Sequence, residues 1–168
     1  MFEDEASFWQ DGTLHQTWSP VGIQPRVDTY GMRNTAHLYG AVSLEAEVTF
    51  RFAPVFNGQT FLWFLQHLVE RFAGRKIFLI IDNSPAHQLD TEGRRWLKQN
   101  RHRLQLHRLP PYSPEFNPME GIWKMTRKRT THNRFYATPT ERDDALFWTF
   151  YAFETQPSLV APQVARFL

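Results

Sequence analysis

Hydrophobic positions fall along this chain in three kinds of pattern. Val48 to Phe52 and Leu104 to Leu109 alternate apolar with polar residues, as half-exposed strands do. Ile77 to Ile81 is a continuous apolar run ending at Asp82, which predicts a central strand buried on both faces. Phe61, Phe64, Leu65, Leu68, Val69 and Phe72 recur at helical spacing, with Thr60 as a fair cap and Gly74 as a stop. Met1 to Trp9 reads as a strand carrying Asp4. Asp11-Gly12 is a turn signal, Leu14 to Trp18 can return as a second strand, and His37 to Leu44 reads as a third, giving an antiparallel meander with Val48 to Phe52.

The second half is mostly helical. Ser84-Pro85 can begin a helical turn, and Glu92 to Gln99 reads as a polar helix with Trp96 and Leu97 inward. Pro110 to Pro114 forms a stiff extended connector, because proline fixes its own torsion and disfavours helix in the preceding residue. Asn117 can cap a helix running to about Arg129, with Pro118 at its first position and Glu120 at its third, where a capping-box acid belongs. Thr138-Pro139-Thr140 opens a last helix, with Thr140 as cap, bearing Leu146, Phe147, Phe150, Tyr151 and Phe153. Strands and helices in this order predict a mixed α/β sheet covered by helices.

Composition narrows the class. A chain of 168 residues with 42% hydrophobic and 15% aromatic content suits one packed domain over residues 1–168. No apolar run approaches the ~20 residues that span a bilayer, and Met1 to Glu5 lacks the features of a secretion signal, so a cytoplasmic location is expected. The absence of cysteine excludes disulfides and thiolate metal sites. The net charge of +2 is unevenly spread: residues 1–70 are net acidic and residues 71–168 net basic. A basic half fits either a polyanion partner or an ordinary solvated surface.

Three acids stand where chemistry is expected. Asp4 lies on the first strand, Asp82 ends the central one, and Glu120 sits in the first turn of a helix. Acids at the ends of adjacent strands point into the crevice at the sheet edge, and clustered carboxylates suit hard divalent cations with oxygen ligands. Each has a blander reading: Asp82 as a strand-end acid capping the next turn, Glu120 as a helix-capping acid, and Asp4 as one of three neighbouring acids. Alternation places Glu3 and Glu5 on the face opposite Asp4.

The runs Ile80-Ile81-Asp82-Asn83-Ser84-Pro85-Ala86-His87 and Leu109-Pro110-Pro111-Tyr112-Ser113-Pro114-Glu115-Phe116-Asn117-Pro118-Met119-Glu120-Gly121-Ile122-Trp123 resemble the catalytic core of bacterial insertion-sequence transposases of the mariner superfamily. The likeness extends to the Asp4-Glu5 pair and to Trp18 to Pro25, nearly the whole chain. It implies an RNase H-like fold, a mixed five-stranded sheet flanked by helices. It also implies an Asp-Asp-Glu triad of Asp4, Asp82 and Glu120 that holds Mg²⁺ or Mn²⁺, two ions in all, to cut transposon ends and join them to target DNA. The implied partners are DNA and a second copy on that DNA. Family members usually carry N-terminal helix-turn-helix modules, which this sequence does not show; a separate end-binding polypeptide is the expected source. The stretch 83–119 between the last two acids is slightly longer than in the commonest members. Another RNase H-like nuclease, or a remnant that binds DNA without catalysis, stays open beside this reading.

Around the acids, Asn83 is expected to hold its loop or bond Asp82. His87 fits a supporting or phosphate-contacting role better than Mg²⁺ ligation. Tyr112-Ser113-Pro114 reads as a rigid scaffold for the Glu120 helix. Lys124, Arg127 and Lys128 share one helix face and suit a DNA backbone, or else a salt-bridged surface. Trp123 reads as core packing. The cluster Arg94, Arg95, Lys98, Arg101 and Arg103 reads as solvated surface with some nucleic-acid affinity.

Overall fold

Strand β1, Phe2–Trp9, is the axis of the sheet. The computed structural model describes residues 1–29, 31, 34–111 and 113–168. β1 pairs antiparallel with β2, Thr35–Val42, which pairs antiparallel with β3, Val48–Ala53. On its other side β1 meets β4, Ile77–Ile81, in parallel through Phe2 and Ile80, and β4 carries β5, Leu104–Arg108, also parallel. The order is β3-β2-β1-β4-β5. Leu14 to Trp18 forms no strand: Leu14 and Trp18 are fully exposed. The reason is topological, since both edges of β1 are taken and no slot remains for a hairpin partner. Thr13 and His15 are instead tied to the turn after the third helix, at His132 and Asn133.

Side-chain alternation divides the core in two. Ala36, Leu38 and Val42 of β2 face one layer, with Ala6 and Phe8 of β1. Tyr39 and Ala41 face the other. Helices α1, Gly58–Arg71, and α2, Thr91–Gln99, cover the second layer with Phe61, Phe64, Leu65 and Leu68. Helices α3, Met119–Thr130, and α4, Pro139–Thr155, cover the first with Met119, Ile122, Trp123, Leu146, Phe150 and Phe153, and short α5, Ala161–Val164, adds Val164. No helix among the described residues is long and apolar enough to cross a membrane.

Several sequence expectations shift. β4 is buried on one face only: Ile77, Leu79 and Ile81 face α1, whereas Phe78 is 51% exposed, because α3 and α4 lie over the other half of the sheet. Asn57, not Thr60, caps α1, and Thr60 completes the capping box from the third position. Thr138, not Thr140, caps α4. α3 starts at Met119, and Glu120 makes no capping-box bond; the Asn117 carboxamide oxygen accepts from the Met119 N–H at 3.1 Å.

Gly40 is paired with Asp4 in the β1–β2 register. A Cβ there would stand 2.6 Å from Met119 Cε and 2.7 Å from Trp123 Cη2. The missing side chain lets α3 sit close on the sheet beside Asp4. Gly40→Ala is therefore expected to destabilise the fold by about 1–3 kcal/mol through overpacking against a rigid indole. Urea denaturation checks it; a change of a few tenths would show that α3 yields freely.

Candidate active site

The three predicted acids line one cleft of about 430 Å³ at the end of β4. Its wall is the proline connector, with Leu109, Pro110, Pro111, Ser113 and Pro114. Of the segment read from the sequence as a scaffold for the Glu120 helix, Ser113 and Pro114 line the cleft and Tyr112 lies outside the described residues. Asp4 enters from the middle of β1, Asp82 from the residue after β4, and Glu120 from the first turn of α3. Counting on from the Phe2–Ile80 pair brings Asp4 level with Asp82.

Asp4 is fixed from the helix layer. The Trp123 indole N–H donates to Asp4 Oδ2 at 3.0 Å. Trp123 is thus core packing and also a carboxylate holder, a role its apolar spacing could not reveal. Burial pushes the Asp4 carboxyl up to about 7, and the charges of Glu120 and Glu5 press in the same direction. Asn117 is buried and joins the layers, its amide donating to the Glu3 carbonyl at 2.8 Å while its oxygen holds the start of α3.

Asp82 is held the opposite way. Its Oδ1 accepts from the Ser84 N–H at 2.7 Å and lies 3.2 Å from His87 Nδ1. Hydrogen bonding to His87, with the Ser84 N–H and the Arg108 charge, keeps Asp82 below the usual carboxylate range. Asn83 does hold its loop: its amide donates to the Leu109 carbonyl at 3.0 Å, tying the end of β4 to the cleft wall.

Beneath the cleft lies a buried charged cluster. His87 Nε2 stands 3.1 Å from Glu3 Oε2 and 3.2 Å from Glu5 Oε1, and neither contact has hydrogen-bond alignment. One ring nitrogen thus lies between two carboxylates. Burial opposes charging His87, but Asp82, Glu3 and Glu5 outweigh it and raise it to about 12, so the imidazolium is the stable form. Burial pushes Glu3 up to about 8 against the pull of that charge.

Asp4, Glu5 and Asp82 offer carboxylate oxygens that all lie within 4.8 Å of one another. Glu5 is the residue that sequence reasoning missed. Alternation sets it on the face opposite Asp4, but its position falls beyond the end of β4, where its carboxylate comes close to His87 and to the carboxylates of Asp4 and Asp82. Glu120 lines the cleft and its charge acts on Asp4, yet it stands outside that tight group. Crowded acids of this kind, one of them pushed toward neutrality by burial first and by its neighbours' charge second, fit a divalent cation.

On α3, Lys124 and Lys128 are exposed. Arg127 is half-buried, its guanidinium 5.2 Å from the centre of the Phe8 ring, so it is less free than its two neighbours. Arg103 leaves the predicted basic cluster, donating to the carbonyls of Arg75, Val69 and Phe72.

A five-stranded mixed sheet between helical layers, with an acidic cleft at the strand ends, is an RNase H-like fold. Residues 1–141 match the DDE superfamily endonuclease family, and the chain belongs to that family. It is 29% identical over 134 residues to the insertion element IS630 uncharacterized 39 kDa protein of Shigella sonnei, covering 79% of this chain and 38% of that protein. The Mos1 strand transfer complex shares the fold, with a TM-score of 0.68, 13% identity, and coverage of 98% of this chain and 50% of that one. So does the mariner Mos1 paired end complex with Mg, with a TM-score of 0.67, 13% identity, and coverage of 98% and 51%. The chain therefore spans about half the length of these proteins, or less.

The titrations give the pH dependence of stability. Glu3 and Asp4 bind protons more tightly folded than unfolded, and so does His87, so stability falls as pH rises through their windows. Metal-free protein in EDTA should melt at a lower temperature at about pH 8 than at about pH 5.5, and Asp4→Asn should flatten the part of that decline below about pH 7. A melting temperature that rises over this range would contradict the assignment.

Proposed function

We propose that the chain is the catalytic domain of a DNA transposase, cleaving phosphodiester bonds at transposon ends and joining the freed 3′ hydroxyl to target DNA. The observation that carries this reading is the meeting of Asp4, Asp82 and Glu120 in one cleft, with Asp4 pushed up by burial and by its acidic neighbours. Family membership and the IS630 relative support it.

Asp4, Asp82 and Glu120 are the residues that would hold Mg²⁺ or Mn²⁺, two ions in all. Such metal supplies Lewis-acid stabilisation of the attacking and leaving oxygens in phosphoryl transfer. The protein's part is orientation. Trp123 aims Asp4, while the Ser84 N–H and His87 aim Asp82. Asn83 and the proline wall keep the cleft shaped. Lys124 and Lys128, with Arg127 behind them, would contact phosphates leading away from the cleft. A separate helix-turn-helix polypeptide would choose the ends, and two copies would act on paired ends.

The test uses duplex DNA carrying the element's ends, together with an end-binding polypeptide and Mn²⁺. Asp82→Asn or Glu120→Gln should lower cleavage by at least about 10³-fold, as expected when a metal-held charge is lost. His87→Gln should lower it by about 10–100-fold through misplacement of Asp82. Undiminished cleavage by the first two variants would refute the reading.

A further inference from the structure

We propose that strand β5 and the exposed face of α2 form a second contact surface for double-stranded DNA, separate from the α3 face. The inference rests on the catalytic reading only in taking DNA as the substrate. Arg94 and Lys98 share one face of α2, and with Arg101 in the turn that follows they line a shallow groove of about 410 Å³ whose floor includes Leu104 and Leu106. Arg95, Lys98, Arg101 and Arg108 are all exposed. Among the described residues none of the four forms an ion pair with a carboxylate. Glu92 is the single acid within α2.

The arrangement has a direction. β5 runs from beside Arg101 toward the cleft and ends at Arg108, whose guanidinium donates to the Asp82 carbonyl at 3.1 Å. Positive charge thus stands at both ends of β5, at Arg101 before its start and at Arg108 by the acidic cleft. α2 lies in the helical layer opposite α3, so exposed basic residues stand in both layers, separately from one another. A single small anion would answer only one or two of these charges. A regular row of phosphates answers them all.

β5 is also an edge strand, with one side unpaired. Charged residues often guard such edges against pairing with another chain. Guarding explains a charge or two at the edge, but not the continuation along α2 away from it. Two copies meeting through this face would bring like charges together, so a second copy is the wrong occupant.

The test measures binding of random-sequence duplex DNA to the full chain by fluorescence anisotropy in EDTA, over about 50–200 mM salt. Neutralising Arg95, Lys98 and Arg101 together (Arg95→Gln, Lys98→Gln, Arg101→Gln) should lower affinity at the low-salt end at least tenfold and reduce the salt slope by about 3, at roughly 0.9 per phosphate contact. Lys124→Gln with Lys128→Gln should lower binding independently. Should the triple variant melt early, Lys98→Gln alone should still reduce the slope by about 1. A slope equal to wild type in these variants overturns the proposal, and so does tighter α2-dependent binding to an RNA duplex. Asp82→Asn separates the two readings: if it cleaves normally while the triple variant loses slope, the catalytic reading fails and this surface stands.

Discussion

Like charges held together at one sheet edge are the constraint on which this structure turns. Asp4 and Asp82 come level because β1 and β4 run parallel, and Glu5 and Glu120 crowd them. Left alone, such carboxylates would splay apart or take up protons. Packing on both sides of the sheet prevents the first. Trp123 reaches Asp4 only because Gly40 leaves room for the indole, and α3 keeps its place because Asn117 bonds the β1 backbone. The raised Asp4 carboxyl is the electrostatic residue of that confinement, and a divalent cation is what would relieve it.

The buried imidazolium below the cleft serves the same arrangement from the other face. His87 touches Asp82 through one ring nitrogen and Glu3 and Glu5 through the other. It steadies Asp82 and sets a positive charge beside Glu5, which offsets part of the crowding among the acids. A wall of prolines completes the pocket, and Arg108 stands beside it, bonded to the Asp82 carbonyl.

Much of this could be read from the residues. The helix read from the period of Phe61 to Phe72, the strand read at Leu104 to Leu109 and the acid at the end of Ile77–Ile81 all sit where pattern places them, though the strand stops at Arg108. The misses share a cause: local signals do not report long-range neighbours. Leu14 to Trp18 has strand-like composition, but both sides of β1 were already taken by strands distant in sequence. Phe78 belongs to an apolar run, but the helices that would cover it lie elsewhere. Within the site, Asp4, Asp82 and Glu120 could be named from the likeness to a family. Glu5 could not, because its reach depends on where β4 stops. Nor could the Trp123 bond to Asp4, since an indole at a core position gives no sign of where its N–H points.

The central claim is that Asp4, Asp82 and Glu120 hold divalent metal. It is tested most directly by crystals of the protein soaked in Mn²⁺, with anomalous scattering recorded at the manganese edge. The account predicts density between the carboxylates of Asp4 and Asp82, facing Glu120, that disappears in Asp82→Asn. Density confined to the buried Glu3, Glu5 and His87 cluster, or none in the cleft at saturating Mn²⁺, would contradict it.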